Sequence, residues 1–358
     1  MRVKHKILVL NPGSTSTEIA LFEDDDLKIR VKEEYGRKQL AGRATAMEQY
    51  PIRLRDVLAI VEREKIDLSA LSAVTGRGGL LKPMESGTYQ VNHRMVDDIK
   101  AGKVMSEHIS NIAPLMAFEI AQRVGIPAFI TDPVSVDEFE PLARISGSPE
   151  IPRRALQHTL NIKAVGRRSA LELGKRFVDV NLIVAHLGGG VSVCPVKRGK
   201  IVDANNANEE GPFAPERSGG LPSLSLVDFC FTSGHPKEWI KKRVVGEGGL
   251  VAYLGTNRIE EVEKRIREGD EEARLIYEAM AYQISKEIGA MATVLKGKVD
   301  KIVLTGGCAH SKLLTGWIEE RVSFIAPVTV YPGADELRSL ASATLRVMRG
   351  EEKAKEYE

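Results

Sequence analysis

Cysteine is scarce in this 358-residue sequence, and the three present, Cys194, Cys230 and Cys308, are far apart and odd in number. They show neither a disulfide framework nor zinc-site spacing, so a reducing compartment is expected. Long apolar runs are missing: none approaches the ~20 residues of a membrane span. The run Ile7 to Leu10 is too short for a secretory h-region. The expectation is a cytoplasmic protein without a membrane partner. An excess of one charge is missing too. The 51 Lys and Arg against 49 Asp and Glu leave a net charge of +2, which argues against a nucleic-acid-binding surface. No G-x-x-x-x-G-K-[ST] string occurs, which excludes a P-loop. No low-complexity linker divides the chain.

What is present is a glycine-turned hairpin that occurs twice. Ile7-Leu8-Val9-Leu10 leads through Asn11-Pro12-Gly13-Ser14-Thr15-Ser16 into Ile19-Ala20-Leu21. Leu182-Ile183-Val184-Ala185 leads through His186-Leu187-Gly188-Gly189-Gly190 into Val191-Ser192-Val193. Such a repeat implies a duplicated domain whose two turns face one cleft, and the length suits two domains. Short β-branched runs alternate with helical patterns, the signature of an α/β protein. Strands are expected at 5–10, 17–22, 72–75, 127–131, 181–186, 191–196, 200–203, 301–305 and 328–331. Helices are expected at about 107–124, 271–296 and 335–349, and the tail 351–358 as a solvated end. The domains are expected to be 1–142 with 339–358, and 143–338, joined by short hinges.

Turns rich in Gly and Ser/Thr cradle phosphate, because exposed N–H groups and hydroxyls converge on one anion. The glycines at 188–190 run into a strand rather than a helix, so a Rossmann dinucleotide site and an NAD-dependent oxidoreductase are disfavoured. A third turn, Thr305-Gly306-Gly307, follows the strand Ile302-Val303-Leu304 and lets the backbone approach a flat nucleoside. An ordinary tight turn explains any one of these loops. Three, each after an apolar strand, suggest two phosphate grips and a nucleoside platform.

Together the three turns resemble the acetate kinase family, within the actin/Hsp70/sugar-kinase superfamily. Gly76-Arg77-Gly78-Gly79-Leu80-Leu81, Gly87-Thr88-Tyr89-Gln90-Val91-Asn92, Phe129-Ile130-Thr131-Asp132-Pro133, Gly211-Pro212-Phe213-Ala214-Pro215-Glu216-Arg217-Ser218-Gly219 and Val330-Tyr331-Pro332-Gly333 are similar to its butyrate and branched-chain fatty acid kinases. The resemblance runs from about residue 5 to 350. It implies duplicated actin-like ATPase (ribonuclease H-like) domains with mixed sheets, homo-oligomers of at least two chains, and ATP/ADP and Mg²⁺ as reactant and cofactor. It also implies reversible in-line transfer of the ATP γ-phosphoryl group to a short-chain fatty acid between the domains. A switched binding protein like actin or Hsp70 would need a further surface or domain.

Both reactants are anions, so the site needs fixed positive charge and N–H donors more than a strong base. By resemblance, Arg77 grips the carboxylate or the moving phosphoryl group, and Arg217 stabilises the transition state with a bidentate fork that lysine lacks. His158 bonds the phosphoryl oxygens, His186 orients the second turn, and His108 matches another active-site histidine. Asn11, Ser14 and Ser16 form the first phosphate turn. Gly188, Gly189 and Gly190 form the second, with Gly306 and Gly307 at the nucleoside. Asp132 at a strand end holds Mg²⁺, directly or through water, with a turn cap as the alternative. Asp335 or Glu336 occupies the family's second acidic position, with helix capping as the alternative. The chain departs from acetate kinases at Glu18, where they carry Lys, so one cation is missing from the first turn. It departs again at Gly79, where they carry valine, and at Gln157, where they carry phenylalanine. Loss of the valine is expected to enlarge the acyl pocket for butyrate, isobutyrate, valerate or isovalerate, with modest discrimination. On that reading Gly79→Val shifts preference towards acetate.

Overall fold

The computed structural model describes residues 4–36, 39–40 and 42–358. These divide into two compact units, Met1–Asp137 with Asp335–Glu358, and Glu138–Ala334. The chain leaves the first unit before 142 and re-enters it at Asp335 rather than Ser339. The second crossing falls there because Asp335 caps the last helix, Glu336–Met348, which packs on the first sheet as one piece.

In the first unit, β1 (Lys6–Pro12), β2 (Ser16–Glu23) and β3 (Asp26–Glu34) form an antiparallel meander. The strand β4 (Ala73–Arg77) pairs parallel to β1, β5 (Thr88–Gln90) closes an edge, and β6 (Ala128–Thr131) lies between β4 and β5. The sheet order is β3-β2-β1-β4-β6-β5. Ile7, Leu8, Val9 and Leu10 are all fully buried, as a central strand covered on both faces requires. Helices Ala46–Arg63, His93–Lys100, Ala113–Gln122 and the last helix complete the core. The first of these starts at a capping box in which Thr45 accepts the Glu48 N–H and Glu48 accepts the Thr45 N–H. The helix expected from 107 begins only at Ala113, after a 3₁₀ turn at Ile109–Ile112. Pro114 lacks an N–H and fits only the first turn.

The tail is not a solvated end. The Gln90 N–H donates to the Lys355 carbonyl at 3.0 Å and the Lys355 N–H to the Thr88 carbonyl at 2.8 Å, so the tail pairs with β5. Tyr357 is 3% exposed, with Lys82 Nζ 4.0 Å above its ring. The charge of 351–358 gave the appearance of solvation, but the buried aromatic anchors the segment.

The second unit repeats the plan. Here β7 (Asn181–Leu187), β8 (Val191–Lys197) and β9 (Lys200–Ile201) form the meander, while β10 (Lys301–Gly306) and β11 (Val328–Pro332) pair parallel beyond β7. The order β11-β10-β7-β8-β9 is that of β6-β4-β1-β2-β3 in the first unit. The strand expected at 200–203 stops at Ile201, because the chain turns there to bring Asp203 to Arg153, 2.9 Å away. Helix Glu271–Val294 buries Met280, Ile284, Ile288 and Met291 against this sheet, with Thr159–Glu172 and Lys312–Val322 alongside. Helices Ser223–Thr232, Lys237–Val244, Gly249–Leu254 and Ile259–Arg267 fill the segment between β9 and Glu271–Val294.

Candidate active site

Two constellations form, one in each unit. In the first, Asn11 is the last residue but one of β1, Arg77 ends β4 and Glu336 opens the last helix. Glu336 Oε2 accepts from Asn11 Nδ2 at 2.9 Å and from Arg77 Nη1 at 2.8 Å. Asn11 Oδ1 is buried beside this group without a hydrogen-bond partner. Arg77 stands in a run of glycines for a steric reason. A Cβ on Gly76 would lie 2.7 Å from the Ala113 carbonyl oxygen, and one on Gly78 2.8 Å from Pro133 Cα. Gly79 does not border open space: a Cβ there would lie 2.8 Å from both the N and the Cα of Asn111. Asn111 Oδ1 also accepts the Leu80 N–H at 2.8 Å, so Asn111 fills the volume that a valine side chain would need.

Arg77 pairs with Thr131 across β4 and β6, so Asp132 lies one residue past that pair. Asp132 Oδ1 accepts the Gly87 N–H at 2.8 Å, and its own N–H donates to the Gly87 carbonyl at 3.0 Å. It holds this clasp with φ 42°, which an aspartate tolerates better than most residues. His108 accepts the Ser110 N–H at 3.2 Å through Nδ1. The residue is exposed as a whole, but partial desolvation of its ring, and then the charge of Arg77, hold its pKa below the ordinary value of 6.5. Asp335 accepts the Arg338 N–H at 3.0 Å and pairs with the Arg338 side chain at 3.3 Å, which is the work of a helix cap. Of the two adjacent carboxylates, Glu336 is the one that meets Asn11 and Arg77. Ser14 lies in the β1–β2 turn and Ser16 opens β2, and the Gly13 N–H donates to the Ser16 carbonyl at 2.7 Å.

In the second unit the β7–β8 turn closes with the Gly188 N–H on the Gly190 carbonyl at 3.1 Å. Each of its glycines faces a polar side chain. A Cβ on Gly188 would lie 3.2 Å from His186 Nε2, one on Gly189 3.1 Å from Glu216 Oε2, and one on Gly190 2.5 Å from Arg217 Cζ. Only glycine lets the Arg217 guanidinium lie against this turn. The Glu216 N–H donates to the Gly189 carbonyl at 3.2 Å, and Gly246 N–H to the Glu216 carbonyl at 2.8 Å, which fixes Arg217 from both sides. Burial lowers the Arg217 pKa, yet guanidinium stays charged throughout the physiological range.

His158 stacks on His186 with ring centroids 3.9 Å apart, and its Nδ1 lies 3.0 Å from Ser192 Oγ. Asn161 Nδ2 lies 2.9 Å from His186 Nδ1 and donates to Thr305 Oγ1 at 3.2 Å. With the amide in this orientation Nδ1 of His186 is the acceptor, which leaves the N–H at Nε2, beside Gly188. Gly306, at φ 91°, abuts the Leu187 backbone, whereas a Cβ on Gly307 would meet nothing within 4 Å. Gln157 is buried and donates to Thr159 Oγ1 at 3.3 Å. It belongs to the second unit, Gly79 and His108 to the first.

The sequence reading missed Asn161, Ser192 and Glu216, which orient the two histidines and the glycine turn. A signal for Asn161 was present, since it follows His158 by three residues, one turn of the helix that begins at Thr159. Among the described residues no group of three or more His, Cys, Asp or Glu is arranged to hold a metal ion. No helix among them is long and apolar enough to cross a membrane.

Residues 151–314 match the acetokinase family. The chain is 49% identical over 356 residues to butyrate kinase 2 of Clostridium acetobutylicum, covering 99% of this chain and 100% of that protein. It is 50% identical over 352 residues to the probable butyrate kinase 2 of Caldanaerobacter subterraneus, covering 98% and 99%. In fold it is similar to the acetate kinase of Porphyromonas gingivalis, with TM-score 0.78 and 20% identity over 96% of this chain and 100% of that one. It is also similar to a propionate kinase of Francisella tularensis, with TM-score 0.73 and 18% identity over 95% and 98%. Those likenesses show the duplicated actin-like ATPase fold. Sequence identity near one half along almost the whole chain shows the family: this chain belongs to the acetokinase family, alongside its butyrate kinases.

Proposed function

We propose that the chain is a butyrate kinase, which moves the γ-phosphoryl group of ATP to the carboxylate of butyrate or a branched relative and back. The observation that carries this reading is the identity of about half its residues, end to end, with butyrate kinases. A carboxylate oxygen forms the new P–O bond as the bond to the ADP oxygen breaks. The nucleophile is already an anion, so no base is required, and charge stabilisation is the main task. Arg77 grips the acyl carboxylate, oriented by its bond to Glu336. Arg217 neutralises charge on the moving phosphoryl group, and His158 donates to its oxygens. The first turn, with Asn11, Ser14 and Ser16, holds phosphate in one unit. In the other, the turn Gly188–Gly190 with the Nε2–H of His186 holds nucleotide phosphates, and Gly306–Gly307 meet the nucleoside.

Mg²⁺ fits the first constellation. Glu336 and the unpartnered Oδ1 of Asn11 are two hard oxygen donors, the few that Mg²⁺ takes from protein when phosphates and water supply the rest. When bound, it would supply positive charge against the phosphates. Asp132 acts through water or by holding the loop at Gly87, and Asp335 by fixing the helix that carries Glu336.

The reading includes a homo-oligomer of at least two chains in the cytoplasm, where ATP is at hand. Oligomerisation is supported by helix Ser223–Thr232, on which Leu224 is 82% and Phe231 87% exposed. A cavity of about 770 Å³, lined in part by Leu226, Phe231 and Ile240, adjoins it. The functional test runs the reaction backwards. Butyryl phosphate and ADP with Mg²⁺ should yield ATP in a luciferase-coupled assay. No ATP above a control without butyryl phosphate overturns the reading.

A further inference from the structure

Arg53 is an arginine with 0% exposure, on the core-facing side of helix Ala46–Arg63. Its guanidinium reaches the back of the β1–β2 turn. Nη1 donates to the Ser16 carbonyl and to Thr17 Oγ1, both at 3.0 Å, and Nη2 donates to the Ser14 carbonyl at 3.1 Å. Nε and Nη2 donate to Gln49 Oε1 at 3.1 and 2.9 Å, and the Tyr35 ring lies 4.4 Å away on one face. Among the described residues Arg53 has no ion-pair partner, so a buried cation stands uncompensated directly behind the turn. A buried charge without a counter-ion is costly, and it persists where something else gains from it.

Its effect on the turn follows from peptide geometry. No peptide bond is cis, so the Thr15 N–H points opposite to the Ser14 carbonyl, away from Arg53 and on an exposed stretch. The positive charge behind the carbonyls orients and polarises that peptide, so its outward end is a better anion donor. Residue 18 supplies no cation here. Thr17 and Glu18 point to opposite faces of β2, and Glu18 pairs with Arg30 at 3.1 Å.

We infer that Arg53 is the positioning residue of the first phosphate turn, and that its buried charge, felt through the Ser14 and Ser16 carbonyls, stabilises the transferring phosphoryl group in place of a cation at residue 18. This rests on the phosphoryl-transfer reading above.

The test compares the full chain with Arg53→Met, which keeps volume and drops charge, and Arg53→Lys, which keeps charge. Melting temperature, MgADP binding and trapping of MgADP with aluminium fluoride, a mimic of the moving phosphoryl group, are read by calorimetry. MgADP affinity should stay within about twofold in both variants, while trapping weakens about tenfold or more in Arg53→Met and recovers most of that in Arg53→Lys. The inference is overturned if folded Arg53→Met traps like the parent, or if both variants lose trapping only in step with folded fraction. It is overturned too if the parent chain traps nothing. Should Arg53→Met fail to fold, Gln49→Leu, which removes the acceptor that aims the guanidinium, takes its place. Trapping about threefold weaker or more is expected there, and unchanged trapping overturns the inference. A parent chain that traps aluminium fluoride but makes no ATP from butyryl phosphate contradicts the choice of acid substrate and leaves the Arg53 result standing.

Discussion

Arg217 is fixed by the glycine turn it touches, and on the proposed reading it stands in place before charge develops. Arg217→Ala should lower kcat by about 10²–10³ while the KM for ATP changes little, the mark of a contact made in the transition state. Steady-state kinetics with butyrate decide this, and near-normal kcat removes Arg217 from the chemistry. Gly79 carries a different lesson. Its smallness reads in sequence as room for a longer acid, but Asn111 takes the room. Gly79→Val should destabilise the fold by about 1–3 kcal/mol, as overpacking does, rather than act as a clean specificity switch. Chemical denaturation gives the number, and a stable Gly79→Val enzyme shifted to acetate restores the pocket argument. His108 gives a pH signature. Its folded pKa is below 6.5, so between the two values the unfolded chain binds more protons, and stability is lost as pH falls through and below 6.5. Melting curves from pH 7.5 to 5 should fall more steeply for the parent than for His108→Asn, which keeps an N-cap acceptor. Parallel curves contradict the assignment.

At the scale of elements, the strands next to the turns were legible because each is an apolar run cut by glycine, as at Leu182–Ala185 before Gly188. The long helix Glu271–Val294 was legible from its stripe. What escaped was whatever depends on partners distant in sequence. The strand β3 has no fully buried residue, and helix Ala46–Arg63 hides a buried arginine in its apolar face. The tail looked solvated because its charges outnumber Tyr357, yet it pairs with β5, next to the Gly87 clasp on Asp132. Tyr357→Ala should cost about 3 kcal/mol of stability, typical of deleting a buried aromatic. A denaturation midpoint equal to the parent's contradicts a docked tail. The site was legible in the same uneven way. The motif residues Asn11, Arg77, His186 and Arg217 stand out in the sequence, whereas the contacts of Asn161 with His186, of Glu216 with the Gly189 carbonyl and of Arg53 with the Ser14 and Ser16 carbonyls join positions that no string connects.

For the whole molecule, the repeated hairpin proved to be one corner of a repeated sheet, with the same strand order in both units. The apolar surface of Ser223–Thr232 fits a contact between chains, because a monomer gains nothing by exposing Leu224 and Phe231. Light scattering should find at least a dimer for the parent chain and a smaller species for Leu224→Glu with Phe231→Glu, and a monomeric parent contradicts the oligomer. Like the butyrate kinases it matches, this chain phosphorylates the carboxyl group of a short-chain fatty acid. The most direct measurement is hydroxylamine trapping of the acyl phosphate made from ATP, Mg²⁺ and either butyrate or acetate. Hydroxamate should form only with both ATP and acid present, with butyrate ahead of acetate in kcat/KM. Hydroxamate no higher than in a control without acid contradicts it.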